Sequence, residues 1–229
     1  MKLFDEQIKQ TLKSRLERLE NYFKSDVIFF HGPIYPTVEK IFRDFIEKLK
    51  LEKSEQQSLT IFLTTPGGEV ETVEKLVEII RFHYSEVYFV VPDYAMSAGT
   101  IFCMSGNEIY MDYSSSLGPI DPQVLNEEEL VPAMGYLDQY QRMIEKSAAG
   151  ILTDAEFLIL QSQDLAMLTA YEQARDLTIT LLKEWLVQYK FHNWVKHQTE
   201  PKKIGKQVTQ TEKEKRAEEI ASTANTKFA

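Results

Sequence analysis

A single cysteine, Cys103, stands among 229 residues. One cysteine closes no internal disulfide and builds no thiolate zinc cage, and its use fits a reducing compartment, the cytoplasm. Long apolar runs are also scarce. The longest stretch without a charged residue is the 14 residues between Asp93 and Glu108. A membrane helix needs about 20 mostly apolar residues, so no span is encoded. The opening Met1-Lys2-Leu3-Phe4-Asp5-Glu6 becomes charged too soon for a secretory leader. Basic charge is in deficit, with 26 Lys and Arg against 35 Asp and Glu and a net charge of −9. A general nucleic-acid binder needs a basic face to neutralise phosphates, so that class is set aside. There is no internal repeat and no Gly-x-Gly-x-x-Gly loop for a dinucleotide. Against these absences the bulk composition is ordinary, with 43% hydrophobic and 27% charged residues. That excludes wholesale disorder, and the length fits one large domain with appendages.

The pattern along the chain alternates. Ile8, Leu12, Leu16, Leu19 and Phe23 recur at spacings of 3 and 4, which predicts a helix over 3–24. Val27 to Phe30 is a short apolar run closed by Gly32 and Pro33, and reads as a buried strand. A helix follows Pro36. Leu59 to Leu63 is a second strand, ended by Pro66-Gly67-Gly68, and 69–84 is helical again. Val87 to Val91 and Ile109 to Met111 are third and fourth strands. Strands alternating with amphipathic helices predict βαβ units and a mainly parallel sheet. From Tyr136 the pattern is helical through Trp185. Residues 196–229 carry eight Lys and Arg, five Asp and Glu and few large apolar side chains. They read as a charged, mobile tail after a domain over 1–195, or as a loosely docked helix at 212–221, with a partner-binding arm as the sharper alternative.

Two strand-exit segments hold the chemistry, Thr64 to Val70 and Pro92 to Thr100. In an open α/β sheet, sites form beyond the carboxyl ends of strands. Gly67-Gly68 serves either a tight turn or close backbone approach to a ligand or oxyanion. Ser97, in Met96-Ser97-Ala98-Gly99-Thr100, is either the cap of a helix or a nucleophile with the Ala98 N–H beside it. Cys103, in Ile101-Phe102-Cys103-Met104, reads as core filler. A serine nucleophile needs a base. Of the four histidines, His31 alone lies at a strand exit; His83, His192 and His197 show no motif. A lysine whose pKa is lowered by burial can substitute. Lys146 is the first lysine after Ser97 and precedes the small residues Ser147 to Gly150. Glu108, Asp112 and Asp121 are scattered acids, and no metal is assigned to them.

Four ordered motifs carry a resemblance. They are Thr65-Pro66-Gly67-Gly68, Val91 to Thr100, Ile109 to Asp112, and Leu117-Gly118-Pro119-Ile120-Asp121-Pro122-Gln123. The sequence resembles the serine dehydrogenase proteinase family, which is similar to ClpP-type proteases and signal peptide peptidase A. The resemblance is strongest over 58–124 and implies a ClpP/crotonase-like α/β fold. It implies a Ser97 nucleophile and an oxyanion hole from the N–H groups of Gly68 and Ala98. It also implies a substrate strand beside Gly67, Gly68, Glu69 and Val70 and the loop Gly118, Pro119, Ile120 and Asp121, paired through the main chain. ClpP-type enzymes place a histidine in the loop corresponding to 117–121, and this sequence has none. Lys146 is the candidate for the signal-peptide-peptidase lysine, with His31 or a further, unidentified group as the alternative base. The family's C-terminal part usually runs on into a histidine-containing end that has no counterpart before Ala229.

The expected function is that of a cytoplasmic serine peptidase with a Ser–Lys dyad and no metal or organic cofactor. Its partners are a peptide or protein substrate and further copies of the chain, joined through the helices after Tyr136. A non-catalytic scaffold and a crotonase-type acyl-CoA enzyme are the alternatives.

Overall fold

The computed structural model describes the chain apart from residues 1, 54, 121, 122, 127, 128, 200, 202 and 227–229. Residues 2–4, 123–126, 129–134 and 223–226 are described as backbone alone. Four parallel strands form the main sheet: β1 (Asp26–His31), β2 (Ser58–Thr64), β3 (Glu86–Val91) and β5 (Glu108–Met111), in that spatial order. These are the four apolar runs of the sequence. Leu59, Ile61 and Leu63 of β2 and Val87, Phe89 and Val91 of β3 alternate into the core, each at most 1% exposed. That period of two comes from the pleat, which sends successive side chains to opposite faces.

The crossovers are helical, as parallel neighbours require. The first, α2 (Pro36–Glu52), starts on Pro36, whose missing N–H costs nothing in a first turn, and buries Phe42 and Ile46. The second, α3 (Val70–His83), buries Val70, Val73, Leu76, Val77 and Ile80 along one side. The third, α4 (Ala98–Met104), is seven residues long, and its first six residues are buried. Cys103 lies fully in this core, where burial pushes its thiol up. Arg81, at the end of α3, is half-buried. It donates to the carbonyls of Ser85 and Ser105 and to Asn107, and lies 3.7 Å from the Tyr189 ring centroid.

Ahead of the sheet runs α1 (Lys2–Phe23). Beyond it lie α5 (Ala133–Ala148), α6 (Asp154–Gln161) and α7 (Leu165–Trp185), continued by a π-helical turn (Leu186–Lys190). Thr153 and Glu156 close a reciprocal capping box on α6, and Asp164 accepts the Ala166 and Met167 amides at the start of α7. The basic stretch after 195 carries α8 (Gln210–Thr226), which lies against α7. Ala217 and Ala221 are fully buried, and Lys183 pairs with Glu218 at 2.8 Å.

Four short strands have no counterpart in the sequence reading. β4 (Tyr94–Ala95) pairs in parallel with β6 (Ser116–Leu117), and β7 (Gln123–Asn126) forms a hairpin with β8 (Glu129–Pro132). Two-residue strands carry no periodicity, so only long-range pairing defines them.

Candidate active site

The two strand-exit segments meet. The Thr65 N–H donates to the Tyr94 carbonyl at 3.1 Å, and the Met96 N–H returns to the Thr65 carbonyl at 3.0 Å. On the far side of β4, the Ser116 N–H donates to Asp93 and the Gly118 N–H to Ala95. The Thr100 hydroxyl lies 2.8 Å from the Ala95 carbonyl and 3.0 Å from that of Gly118, and is buried. Ser97 is therefore framed by a backbone that is bonded on both flanks.

Its own conformation is unusual. Ser97 has φ 49° and ψ −120°, and Lys24 is the only other non-glycine residue with positive φ among the described residues. For a residue with a Cβ this costs on the order of 1–3 kcal/mol, retained only where the surroundings impose it. Ser97 occupies the cap position of α4, yet its side chain makes no capping bond. Its carbonyl, not its hydroxyl, serves the helix, accepting from Thr100 and Ile101. Simple helix capping therefore does not account for the serine.

The glycine pair closes over it. A Cβ on Gly67 would lie 2.9 Å from the Ser97 Cβ and 2.7 Å from the Met96 carbonyl oxygen. At Gly68 it would fall 2.0 Å from the Ile34 oxygen. Both have φ above +100°, so glycine is required there for conformation and for space. The Ile34 N–H donates to Gly67 and the Glu69 N–H to Ile34, each at 2.9 Å, which locks this bend onto the segment after β1. The Thr65 hydroxyl accepts the Gly67 N–H at 3.0 Å. Among the described residues, no backbone carbonyl takes the N–H of Gly68 or of Ala98. Thr65 and Thr100 were not singled out from sequence. Their signal is a hydroxyl placed in an otherwise apolar or glycine-rich run.

The remaining named residues divide. Val70 and Ile120 are core residues, each 5% exposed. Gly118 is packed on Met96, and Pro119 is exposed. Glu69 is half-buried at the start of α3, where burial, then Glu71 and Glu39, raise its carboxyl. Asp121 lies outside the described residues. His31 is exposed at the end of β1, beside a groove of about 390 Å³ between β1 and α2. Lys146 sits in the last turn of α5, half-exposed, with its ammonium on the Glu156 carboxylate at 2.5 Å. That contact and two bonds from Thr153 hold Glu156 down to about 2. Among the described residues the main neighbours of α5 are α6 and α7, so the lysine is seated on the helical arm. No group of three or more metal-ligating side chains exists among the described residues. Nor is any described helix long and apolar enough to cross a membrane.

A family model described as ClpP-like SDH-type serine proteinase matches residues 15–220. The uncharacterized protein MJ1495 of Methanocaldococcus jannaschii is 32% identical over 126 residues, covering 54% of this chain and 41% of that protein. The ATP-dependent Clp protease proteolytic subunit 3 of Rhizobium johnstonii is 28% identical over 82 residues, covering 35% of this chain and 41% of that one. The chain thus spans less than half the length of the curated relatives it matches. Among solved structures, the 1510-N membrane-bound stomatin-specific protease in complex with a substrate peptide aligns at 18% identity and a TM-score of 0.45. That alignment covers 70% of this chain and 57% of the other.

Proposed function

The chain belongs to the ClpP-like SDH-type serine proteinase family, and on that premise we propose that it hydrolyses peptide bonds through Ser97. The observation that carries the reading is the strained Ser97 backbone held against Gly67 by bonds on both flanks. A nucleophile must be presented in one orientation, and stored backbone strain of this kind concentrates at reacting residues.

In the proposed reaction the Ser97 Oγ attacks the substrate carbonyl carbon. Its proton passes to the base, and the carbonyl oxygen becomes an oxyanion held by the Gly68 and Ala98 N–H groups. The C–N bond then breaks, and the leaving amine takes the proton from the base. Water, deprotonated by the same base, attacks the acyl-serine and releases the acid, regenerating Ser97. Substrate backbone pairs beside Gly67 to Val70 and Gly118 to Asp121. No metal or organic cofactor enters these steps.

Lys146 is the proposed base. An ammonium on a carboxylate cannot accept a proton, so catalysis requires Lys146 to leave Glu156. The apolar side chains exposed around it, Ile151, Phe157 and Leu158, mark the arm as a surface that is covered when the enzyme assembles. We place the enzyme in a reducing compartment, the cytoplasm, as a homo-oligomer acting on peptide or protein substrates.

The Lys146–Glu156 pair also favours a second reading, a non-catalytic scaffold with the same fold. A fluorophosphonate probe separates the two. Labelling mapped to Ser97 by mass spectrometry and absent from Ser97→Ala supports the peptidase, and an unreactive Ser97 in the assembled protein supports the scaffold.

A further inference from the structure

The main sheet is covered on one face and open on most of the other. The residues in register across β1, β2, β3 and β5 are Phe29, Phe62, Val90 and Tyr110. Phe29 is 64% exposed and Tyr110 41%, while Phe62 and Val90 are half-buried. Towards the strand ends, His31, Pro92 and Asp112 are exposed and Thr64 is half-buried. Parallel sheets are normally covered on both faces, because their strands are apolar on both. Here the ring of Phe29 stacks on Phe62 at 4.8 Å, and its outer face is open to water.

The cover that does exist is the last turn of α1. Phe23 meets Phe62 at 5.9 Å and Tyr110 at 5.7 Å, edge to face. Glu20 is tied to Lys53 at 2.5 Å. From this anchor α1 runs on for 22 residues in all, about 33 Å at 1.5 Å per residue. Its apolar stripe is more exposed beyond the anchor than at it. Phe23, Leu19 and Leu16 are half-buried, Leu12 is 60% exposed and Ile8 43%. One chain thus carries a helix face without a sheet and a sheet face without a helix.

Charge matches the two. Lys9 and Arg15 flank the stripe beside Ile8 and Leu16, and among the described residues neither is ion-paired. On the open sheet face, Glu86 and Glu108 are exposed and accept from the hydroxyls of Tyr88 and Tyr110. Neither carboxylate has an ion-pair partner among the described residues.

We propose that the N-terminal half of α1 of one copy covers the open sheet face of a second copy of this chain. Ile8 and Leu12 lie on the row Phe29–Phe62–Val90–Tyr110, and Lys9 and Arg15 reach Glu86 and Glu108. The inference deepens the homo-oligomer reading above and rests on it. Each copy gives one arm and receives one, so every sheet face in the assembly is covered.

The test is sedimentation of the full chain and two variants, Leu12→Asp on the arm and Phe29→Asp on the sheet. Both side chains are exposed, so folding, checked by circular dichroism, does not depend on them. Each variant alone is expected to raise the dissociation constant at least ~10-fold, because a charge replaces an apolar anchor. Mixing the two is expected to restore association, since the Phe29→Asp copy keeps its arm and the Leu12→Asp copy keeps its face. As a second pair, Arg15→Glu and Glu108→Lys should each weaken association and together recover part of it. An oligomer unchanged by all four substitutions overturns this interface while leaving the assembly reading intact. A monomeric wild type overturns both. Flotation of that monomer with phosphatidylglycerol vesicles, lost in Leu12→Asp, would assign the stripe to a lipid surface instead.

Discussion

Ser97 and Lys146, the two halves of the proposed dyad, sit in opposite surroundings. Around Ser97 every neighbour is fixed by main-chain bonds. Thr65, Tyr94, Met96, Ala95 and Gly118 are joined across three separate chain segments, and the glycines leave no room for substituents. Lys146 is held by one carboxylate on a half-exposed helix end. The difference teaches where this enzyme keeps its precision. The Ser97 segment is held by main-chain bonds inside a single chain, while Lys146 is held by a contact that solvent screens and that rearranges at little cost. On the proposed mechanism the site is inactive until its arm is repositioned, so assembly state and activity should be linked.

The largest effect that tests this contrast is at the rigid half. Ser97→Ala should reduce peptide hydrolysis by about 10³-fold or more and abolish probe labelling. Its melting temperature should hold or rise slightly, because alanine removes no packing. Retained hydrolysis would remove Ser97 from the mechanism. Gly68→Ala comes next. The added Cβ meets a backbone oxygen at 2.0 Å at positive φ, so a loss of roughly 2–4 kcal/mol in a denaturant titration is expected, together with activity. Gly135→Ala, where nothing lies within 4 Å, is the control and should leave both unchanged. Equal stability in the two variants would show that the bend at Gly68 is not rigid.

The softer half should respond in activity alone. Lys146→Ala and Lys146→Arg are both expected to lose hydrolysis with unchanged melts, since a guanidinium stays protonated. Glu156→Gln should raise hydrolysis at fixed pH, because it removes the contact that Lys146 must leave. The sign for Glu156 itself follows from its lowered carboxyl. Whatever its ionised form contributes is complete above the ordinary value of 4.5 and is lost only as pH falls through about 2. No limb above pH 5 can therefore belong to it. Full activity in Lys146→Arg, with loss in His31→Ala, would transfer the role to His31. The smallest effect concerns the C-terminal stretch. Trypsin should cut first at the exposed Lys206, yet α8 should stay attached through Ala217 and Ala221. Release of the fragment on gel filtration would show that this helix is only loosely docked.

The four sheet strands, the crossover helices and the Gly-Gly and Ser97 segments were legible in the sequence. Apolar runs of three to five residues and helical spacings report burial directly, and strand exits are where loops are free to carry chemistry. The helix predicted at 212–221 was legible too, but its docking on α7 was not, because two small alanines do the packing. β4 and β6 were invisible for a related reason. Their pairing is decided by residues about twenty positions apart, with two residues on each strand.

By itself, the sequence determined the order of strands and helices, the single buried cysteine and the identity of the serine and glycines. Each of these depends on local periodicity or on what one side chain permits. Only the tertiary structure decided that Ser97 adopts a positive φ without capping its helix, that Gly68 faces the Ile34 carbonyl, and that Lys146 rests on Glu156. It also decided that one sheet face and one helix face are left open. The physical reason is common to all of these. Each is set by contacts between segments distant in the chain, and chain closure over such distances is governed by the whole packing rather than by any local propensity.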